Sequence, residues 1–495
     1  MATTIVQTEI EKFLGAGPVP LYIGGTWRAA QAGGVIEVQQ PGDGTRLAEV
    51  AAAESADIDD AVAAANRAFP DWAAMPVTDR AALLHRYADA IEDSAELVGH
   101  LESLDVGKPA AGAVGFDVPF AVQAFRYFAD LSVYTRRSEP LPLAHLEARQ
   151  IQVPYGPCGF IIPWNFPFLL YAWGVSAALA AGNTVVVKPA ELTPLTTLYA
   201  CHLAEQVGIP AGVINVVPGL GETAGTALSH HAGIRRMSFT GSPEVGREVA
   251  AAAAYNLVPC KLELGGKGAA VVFDDVDVAD TAHKLADAIT GNTGQVCCTA
   301  TRWVVHEDIV DDLVAQAKER LGEVVIGPGY EESTTMGPLV SETQRRRVLG
   351  YIDKGLAAGA TTLLEGGPAK PAGHEGGFFV KPALLKGDPD NICAKEEIFG
   401  PVAIVIPFND EDEVVKTVNR SHYGLANSVW SSDLNRANRV AEQLVAGNSW
   451  INAHNVFAYG LPYGGVNLSG YGGGVNSPET LMDYLRPQTI ARPLA

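Results

Sequence analysis

From residue 184 the chain reads Thr184-Val185-Val186-Val187, then, one helical stretch later, Val213-Ile214-Asn215-Val216, and after another Arg236-Met237-Ser238-Phe239. Short apolar runs rich in β-branched residues and separated by helical segments are the pattern of strands buried on both faces of a parallel sheet. Their alternation implies an α/β fold with a doubly wound sheet. The rhythm resumes beyond Gly265, with strands expected over 269–273, 301–306 and 402–406 and helices over 278–290, 308–321 and 341–358. A second α/β domain follows from it.

Upstream, Asp57 is expected to cap a helix whose Ile58, Ala61, Val62, Ala65 and Phe69 recur at helical spacing until Pro70 stops it. Similar helices are expected over 78–101 and 117–134. Residues 151–187 carry no charge, yet Pro154, Pro157, Pro163 and Pro167 interrupt the first half and Gly182-Asn183 closes an apolar helix over 168–181. That reads as a buried helix and not as a membrane span. Two outlying segments, 148–153 and 487–493, look like strands that pair away from the main sheets, as an arm joining subunits would.

The chain has 495 residues, enough for roughly two to four domains with cores of their own. Lys and Arg total 35 against 56 Asp and Glu, and the net charge of -21 disfavours nucleic acid and anionic lipid surfaces as partners. The 6 cysteines are scattered, with neither a paired framework nor a CxxC metal spacing, so no metal is expected and the thiols suit a reducing cytoplasm. No basic stretch followed by an apolar run marks the N-terminus as an export signal.

Ligand-binding signals gather at the C-terminal ends of the strands. In Phe239-Thr240-Gly241-Ser242-Pro243-Glu244-Val245-Gly246 a strand runs into two glycines around a helix start, where backbone N–H groups can cradle a pyrophosphate. Pro243 suits the first helical turn and Ser242 can cap it or touch a phosphate. The same turn also serves plain structure. Lys188-Pro189-Ala190-Glu191 sets a cation and a carboxylate at the end of another strand, where Glu191 can grip ribose hydroxyls and repel a 2'-phosphate; a surface ion pair is the alternative.

Taken with Pro163-Trp164-Asn165-Phe166-Pro167, Glu263-Leu264-Gly265-Gly266-Lys267, Gly294-Gln295-Val296-Cys297 and Glu397-Ile398-Phe399-Gly400-Pro401, these motifs resemble the aldehyde dehydrogenase superfamily, in its order and over nearly the whole chain. The resemblance implies a Rossmann-like cofactor domain over 1–135 and 155–264, an α/β catalytic domain over 265–477 and a small β oligomerisation arm over 136–154 and 478–495. It implies oxidation of an aldehyde to an acid with NAD, NADP being a second possibility, by a homodimer or homotetramer.

By the same resemblance Cys297 is the nucleophile that forms a thiohemiacetal and then a thioester. Asn165 joins the Cys297 backbone N–H as oxyanion donor, and Glu263 is the base that activates water. Ile161, Pro163, Trp164, Lys188, Glu191, Gly241, Ser242, Val245, Leu264, Gln344, Glu397 and Phe399 are the implied cofactor contacts. Phe166, Leu170, Trp173, Asn455, Phe457 and Tyr463 are brought towards the aldehyde tail, which favours an apolar or aromatic aldehyde. The chain departs from the family at Asn467, a position commonly Lys, and at Gly472-Gly473-Gly474, where an Arg-Glu ending is usual. A CoA-acylating relative would commonly lack Glu263, a non-catalytic protein on the same fold would lose Cys297, Asn165 or Glu263, and a thiol esterase would not need Lys188, Glu191 or Glu397.

Overall fold

In the computed structural model, which describes residues 4–494, five parallel strands form the middle of an eight-stranded sheet. Their spatial order is Ile214–Val216, Val185–Lys188, Cys158–Ile161, Arg236–Gly241 and Cys260–Leu264. Antiparallel strands close both edges: Leu21–Ile23 with Thr26–Arg28 on one side, Gly470–Tyr471 on the other. Val185, Val186 and Val187 are fully buried, as an uninterrupted apolar run requires of a strand covered on both faces.

The second sheet has seven strands in the order Thr361–Leu364, Ala383–Lys386, Val402–Phe408, Ala300–His306, Gly268–Val272, Ala426–Trp430 and Asn448–Ile451. All are parallel except Thr361–Leu364 at one edge. The two outlying segments pair with each other: Leu485–Pro493 runs antiparallel to Leu146–Pro154, with Ser138–Leu141 as the third strand.

The uncharged stretch contains the helix Pro167–Ala181, and its residues are buried on every side against Val118–Tyr134 and neighbouring helices. A helix apolar all round is a core element, and among the described residues no helix is long and apolar enough to cross a membrane. Two helix expectations are corrected. Ser55–Ala74 runs through Pro70, and Glu54 caps it while the Asp57 side chain closes the capping box on the Glu54 N–H at 3.1 Å. Pro70 forfeits only the bond to the Asn66 carbonyl, and the buried Trp72 anchors the last turn in the core. The segment 78–101 is two helices, Val77–Asp93 and Ala95–Val106, broken at Ser94.

Candidate active site

Strand ends of the first sheet and loops that lead into strands of the second meet at a cavity of about 870 Å3. Glu263 comes from the end of Cys260–Leu264, a strand fixed on its far side by the pairing of Glu263 with Gly470. Cys297 sits in the loop between the helix Val278–Thr290 and the strand Ala300–His306. That loop turns sharply: Asn292 and Thr293 both hold left-handed backbone, φ 46° and 57°, costly for non-glycine residues and worst for a β-branched one.

Side chains hold the turn. Asn292 Nδ2 donates to the Asn165 carbonyl at 2.9 Å, and Asn165 Nδ2 donates to the Gln295 carbonyl at 3.0 Å. The fully buried Gln295 accepts from the Val340 N–H at 2.9 Å. Asn165 is therefore locked beside the cysteine loop with one of its two amide N–H donors engaged there. Behind the cysteines, His454 Nε2 lies 2.8 Å from the Cys298 carbonyl and Nδ1 2.9 Å from Ser428 Oγ. The carbonyl can only accept, so the proton is on Nε2 and the Ser428 hydroxyl donates to Nδ1. Burial pushes His454 down to about 4, which keeps the ring neutral.

Glycines let the parts close up. A Cβ on Gly266 would lie 2.3 Å from the Cys297 carbonyl oxygen, and one on Gly265 2.2 Å from Glu397 Oε2. The residues Leu264-Gly265-Gly266 can pass between Cys297 and Glu397 only with glycines at the last two positions.

The titratable groups are strongly perturbed. Both Glu263 oxygens are buried and have no hydrogen-bond partner among the described residues. Burial lifts its carboxyl well above the ordinary value, with Cys297 adding to the rise and Lys261 opposing it. Contact with Cys298, then burial, pushes the Cys297 thiol up, while the Tyr463 hydroxyl, 3.4 Å from Cys297 Sγ, acts the other way. Burial brings Glu397 to about 7 even though the Gly266 N–H donates to its Oε1 at 2.8 Å.

Asn165, Glu263 and Cys297 share the cavity wall with Ile161, Pro163, Trp164, Gly241, Ser242, Leu264, Gln344, Glu397 and Phe399, and with Leu170, Trp173 and Tyr463. Trp164 meets Phe399 edge to face at 5.1 Å, and Gln344 Nε2 holds the Phe399 carbonyl at 2.7 Å. Ser242 Oγ accepts from the Val245 N–H at 3.3 Å, the cap expected from sequence.

Six expected contacts lie off this wall. Lys188 Nζ pairs with Glu191 Oε2 at 2.8 Å, at the end of the strand beside Ile161. Val245 is 44% exposed in the first helical turn. The Phe166 ring lies 3.9 Å from Lys108 Nζ, a cation–π contact made behind the cavity. Asn455 Oδ1 accepts from Cys298 Sγ at 3.3 Å. Phe457 packs against Trp173 at 5.9 Å and Tyr463 at 5.4 Å.

Three aromatics that the sequence did not single out extend this cluster. Phe120 stacks on Tyr459 at 4.7 Å and on Phe116 at 5.4 Å, and the Tyr459 hydroxyl donates to the Phe120 carbonyl at 2.6 Å. Phe116 and Phe120 sit four apart and read as ordinary helix residues, although their spacing does put them on one face. Of the departures near the C-terminus, Asn467 holds φ 56°, which asparagine tolerates better than lysine.

Residues 27–490 match the profile of the aldehyde dehydrogenase family. The chain is 41% identical over 473 residues to a mitochondrial aldehyde dehydrogenase of Leishmania tarentolae, covering 95% of this chain and 94% of that one. To phenylacetaldehyde dehydrogenase of Pseudomonas fluorescens it is 41% identical over 466 residues, 92% of each chain. The NAD+ complex of an aldehyde dehydrogenase from Bacillus cereus superimposes with a TM-score of 0.95 at 37% identity, covering 98% of this chain and 99% of that chain. A match this long, with sequence and backbone in agreement, means that the chain belongs to the aldehyde dehydrogenase family.

Proposed function

We propose that this protein oxidises aldehydes to carboxylic acids with NAD as hydride acceptor and water as acyl acceptor. The observation that carries the reading is the shared wall: a thiol, an amide donor and an unpartnered carboxylate face the same 870 Å3 cavity as Glu397, Phe399 and the Gly241-Ser242 turn. The donor set fits the cofactor. The turn opens the 13-residue helix Pro243–Tyr255, whose N-terminal N–H groups suit a pyrophosphate, and the half-buried Glu397 offers a carboxylate oxygen to ribose hydroxyls. NAD held there would supply the acceptor for the hydride that leaves the substrate carbon.

The chain's own residues do the rest. Cys297 Sγ attacks the aldehyde carbonyl to give a thiohemiacetal, with the thiol proton passing to solvent water, either directly or by way of the ionised Glu263 carboxylate, which is left free to act again. The Cys297 N–H and the second Asn165 N–H receive the developing oxyanion. After oxidation the carbon is a thioester, and Glu263 deprotonates the water that releases the acid and restores the thiol. Burial supports the base role, because a carboxylate with a raised pKa takes a proton more readily than a solvated one.

Trp173 and Tyr463 on the wall, with Phe457, Phe120 and Phe116 packed in the aromatic cluster that continues from them, favour an aromatic or arylaliphatic aldehyde. We assign assembly as a homodimer or homotetramer to the arm, whose outer strand Leu485–Pro493 is exposed along nearly all its length. We place the protein in the cytoplasm on its six free cysteines.

NADH absorbance, followed with NAD and a panel of aliphatic and aromatic aldehydes with and without CoA, tests the reading. CoA-independent NADH formation is expected, fastest with aromatic aldehydes; turnover that requires CoA would overturn the hydrolytic assignment. Sedimentation equilibrium on the intact chain is expected to give two or four copies, and a monomer would remove the role assigned to the arm.

A further inference from the structure

Tyr463 stands closer to the nucleophile than a residue that only shapes a substrate channel needs to be. Its hydroxyl lies 3.4 Å from Cys297 Sγ, within reach of a hydrogen bond to sulfur. The residue is 6% exposed and held at both ends. The Tyr463 N–H donates to the Val475 carbonyl at 3.0 Å and the Val475 N–H donates back at 2.6 Å. The ring packs against Trp173 at 5.6 Å and Phe457 at 5.4 Å, so the hydroxyl cannot swing away without repacking the wall.

We propose that the Tyr463 hydroxyl donates a hydrogen bond to the Cys297 sulfur and is a catalytic group that sets how readily this thiol becomes a thiolate. The inference rests on the reading of Cys297 as the nucleophile. Chemistry fixes the direction of the bond. A thiolate has no proton to give and a phenol has one, so Tyr463 donates. Burial holds the Tyr463 proton on, with the cysteine pair reinforcing it, so the hydroxyl neither gains nor loses a proton; the one that leaves Sγ goes to Glu263 or to water.

The other titratable groups facing Cys297 are Cys298 beside it, Glu397, and Glu263 across the cavity, and none of them is a cation. Cys298 meets both the Cys297 thiol and the Tyr463 hydroxyl and donates its Sγ to Asn455 Oδ1 at 3.3 Å, so it adds a second thiol to the cluster but no positive charge. Lys261, the nearest cation to Glu263, has its Nζ on the Gly474 carbonyl at 2.7 Å. A negative sulfur in this pocket therefore leans on a neutral donor. Once the C–S bond forms the sulfur is a thioether, a weak acceptor, and the bond lapses. Tyr463 thus acts on the resting thiolate and not on the acylated enzyme.

Tyr463→Phe keeps the ring and removes the donor. The full-length parent, Tyr463→Phe and Cys297→Ala would be alkylated with iodoacetamide across a pH series, with peptide mapping to locate the label and a thermal melt to establish that each is folded. A hydrogen bond to a charged group is worth about one to two pH units of ionisation. The alkylation midpoint of Tyr463→Phe is expected to rise by that amount. Its high-pH plateau rate should rise by about three- to tenfold, because a thiolate of higher pKa is the better nucleophile. A side chain that merely packs would leave the midpoint where it is.

Replacing Tyr463 with 3,5-difluorotyrosine, a stronger donor of nearly the same shape, should move the midpoint down and gives a second reading if the phenylalanine variant melts early. An unchanged midpoint in Tyr463→Phe, with Cys297→Ala unlabelled, would overturn the inference and leave Cys297 as the nucleophile. Equal labelling in Cys297→Ala and the parent would overturn the nucleophile assignment, and this inference with it.

Discussion

Replacing Glu263 by Gln is the most informative perturbation of the active site, because it changes charge and basicity while keeping shape. The two carboxylate oxygens are buried without a hydrogen-bond partner among the described residues, so no neighbouring bond is broken by the substitution. A positioned general base contributes about 10²- to 10⁴-fold, which places about 3–5 kcal/mol on the barrier to acyl release. Glu397 is the other perturbed carboxylate on the wall, but its Oε1 is held by the Gly266 N–H at 2.8 Å and does not substitute for Glu263. Rapid mixing of Glu263→Gln with NAD and a good aldehyde should give a burst of NADH approaching one equivalent per site. A steady state slower than the parental one by about two to four orders of magnitude should follow.

The pH dependence provides a second check on the same variant. With its carboxyl raised by burial, Glu263 ionises above the ordinary carboxylate range, and parental acyl release should climb with pH as the group ionises. The variant should lose that limb. A stability signature has the opposite sign. The folded state holds this proton more tightly than the unfolded chain, so the parent loses stability as pH rises above about 4.5, and the neutral Gln does not. Glu263→Gln should therefore melt higher than the parent at neutral pH, with the gap closing towards pH 4.5. Parental turnover with the pH limb intact would refute the assignment of Glu263 as base.

Glu191→Gln leaves Lys188 without its partner and removes the charge that opposes a 2'-phosphate, so the kcat/KM ratio for NAD over NADP should fall by about tenfold; an unchanged ratio would mean that this pair does not meet the ribose. Phe120→Ala removes the ring stacked between Phe116 and Tyr459 and should lower kcat/KM for benzaldehyde-type substrates about tenfold relative to acetaldehyde, and equal losses on both would exclude a role in selection. His454 is held neutral at about 4 in the fold against 6.5 when free, so its contribution, at most about 3 kcal/mol, is present above pH 6.5 and is lost as pH falls to about 4. Denaturant melts at the two ends of that window should separate the parent from His454→Gln, whose stability should fall less; parallel losses would count against it.

Much of the fold was legible because burial leaves a plain mark on sequence. Val185-Val186-Val187 can sit only in a strand covered on both faces, and a helix such as Pro167–Ala181, without a polar side, has nowhere to go but the interior. Proline misled at position 70 because its rule is local, a lost N–H and a clash, while the helix is held by Trp72 in the core. What the sequence could say about placement at the site has the same root. Residues within one motif are held together by the chain itself, so Glu263 with its glycines and Asn165 with its prolines could be read in place. Tyr463 and Cys297 are 166 positions apart, and His454 and Cys298 are 156. Only the folded path of the loops brings such pairs to hydrogen-bond distance, and neither residue type nor spacing records it.

Two half-buried glutamates show what the fold adds to residue type. Glu263 and Glu397 each follow a motif, each faces the cavity and each is raised by burial, so by composition they are equivalent. Their partners differ. Glu397 accepts a backbone N–H and is fixed in place, suited to holding a ligand's hydroxyls; Glu263 accepts nothing from the described chain and keeps its lone pairs for a proton. Leaving a buried carboxylate unsatisfied costs about 1–3 kcal/mol or more, and the left-handed Asn292 and Thr293 cost about 1–3 kcal/mol each. These costs fall on Glu263 and on the loop that carries Cys297, the proposed base and nucleophile, while the surrounding sheets obey the ordinary rules of burial and pairing. A site that is locally unfavourable within a consistent scaffold is expected where reactivity has been favoured over stability, and the stability gain expected for Glu263→Gln measures that exchange.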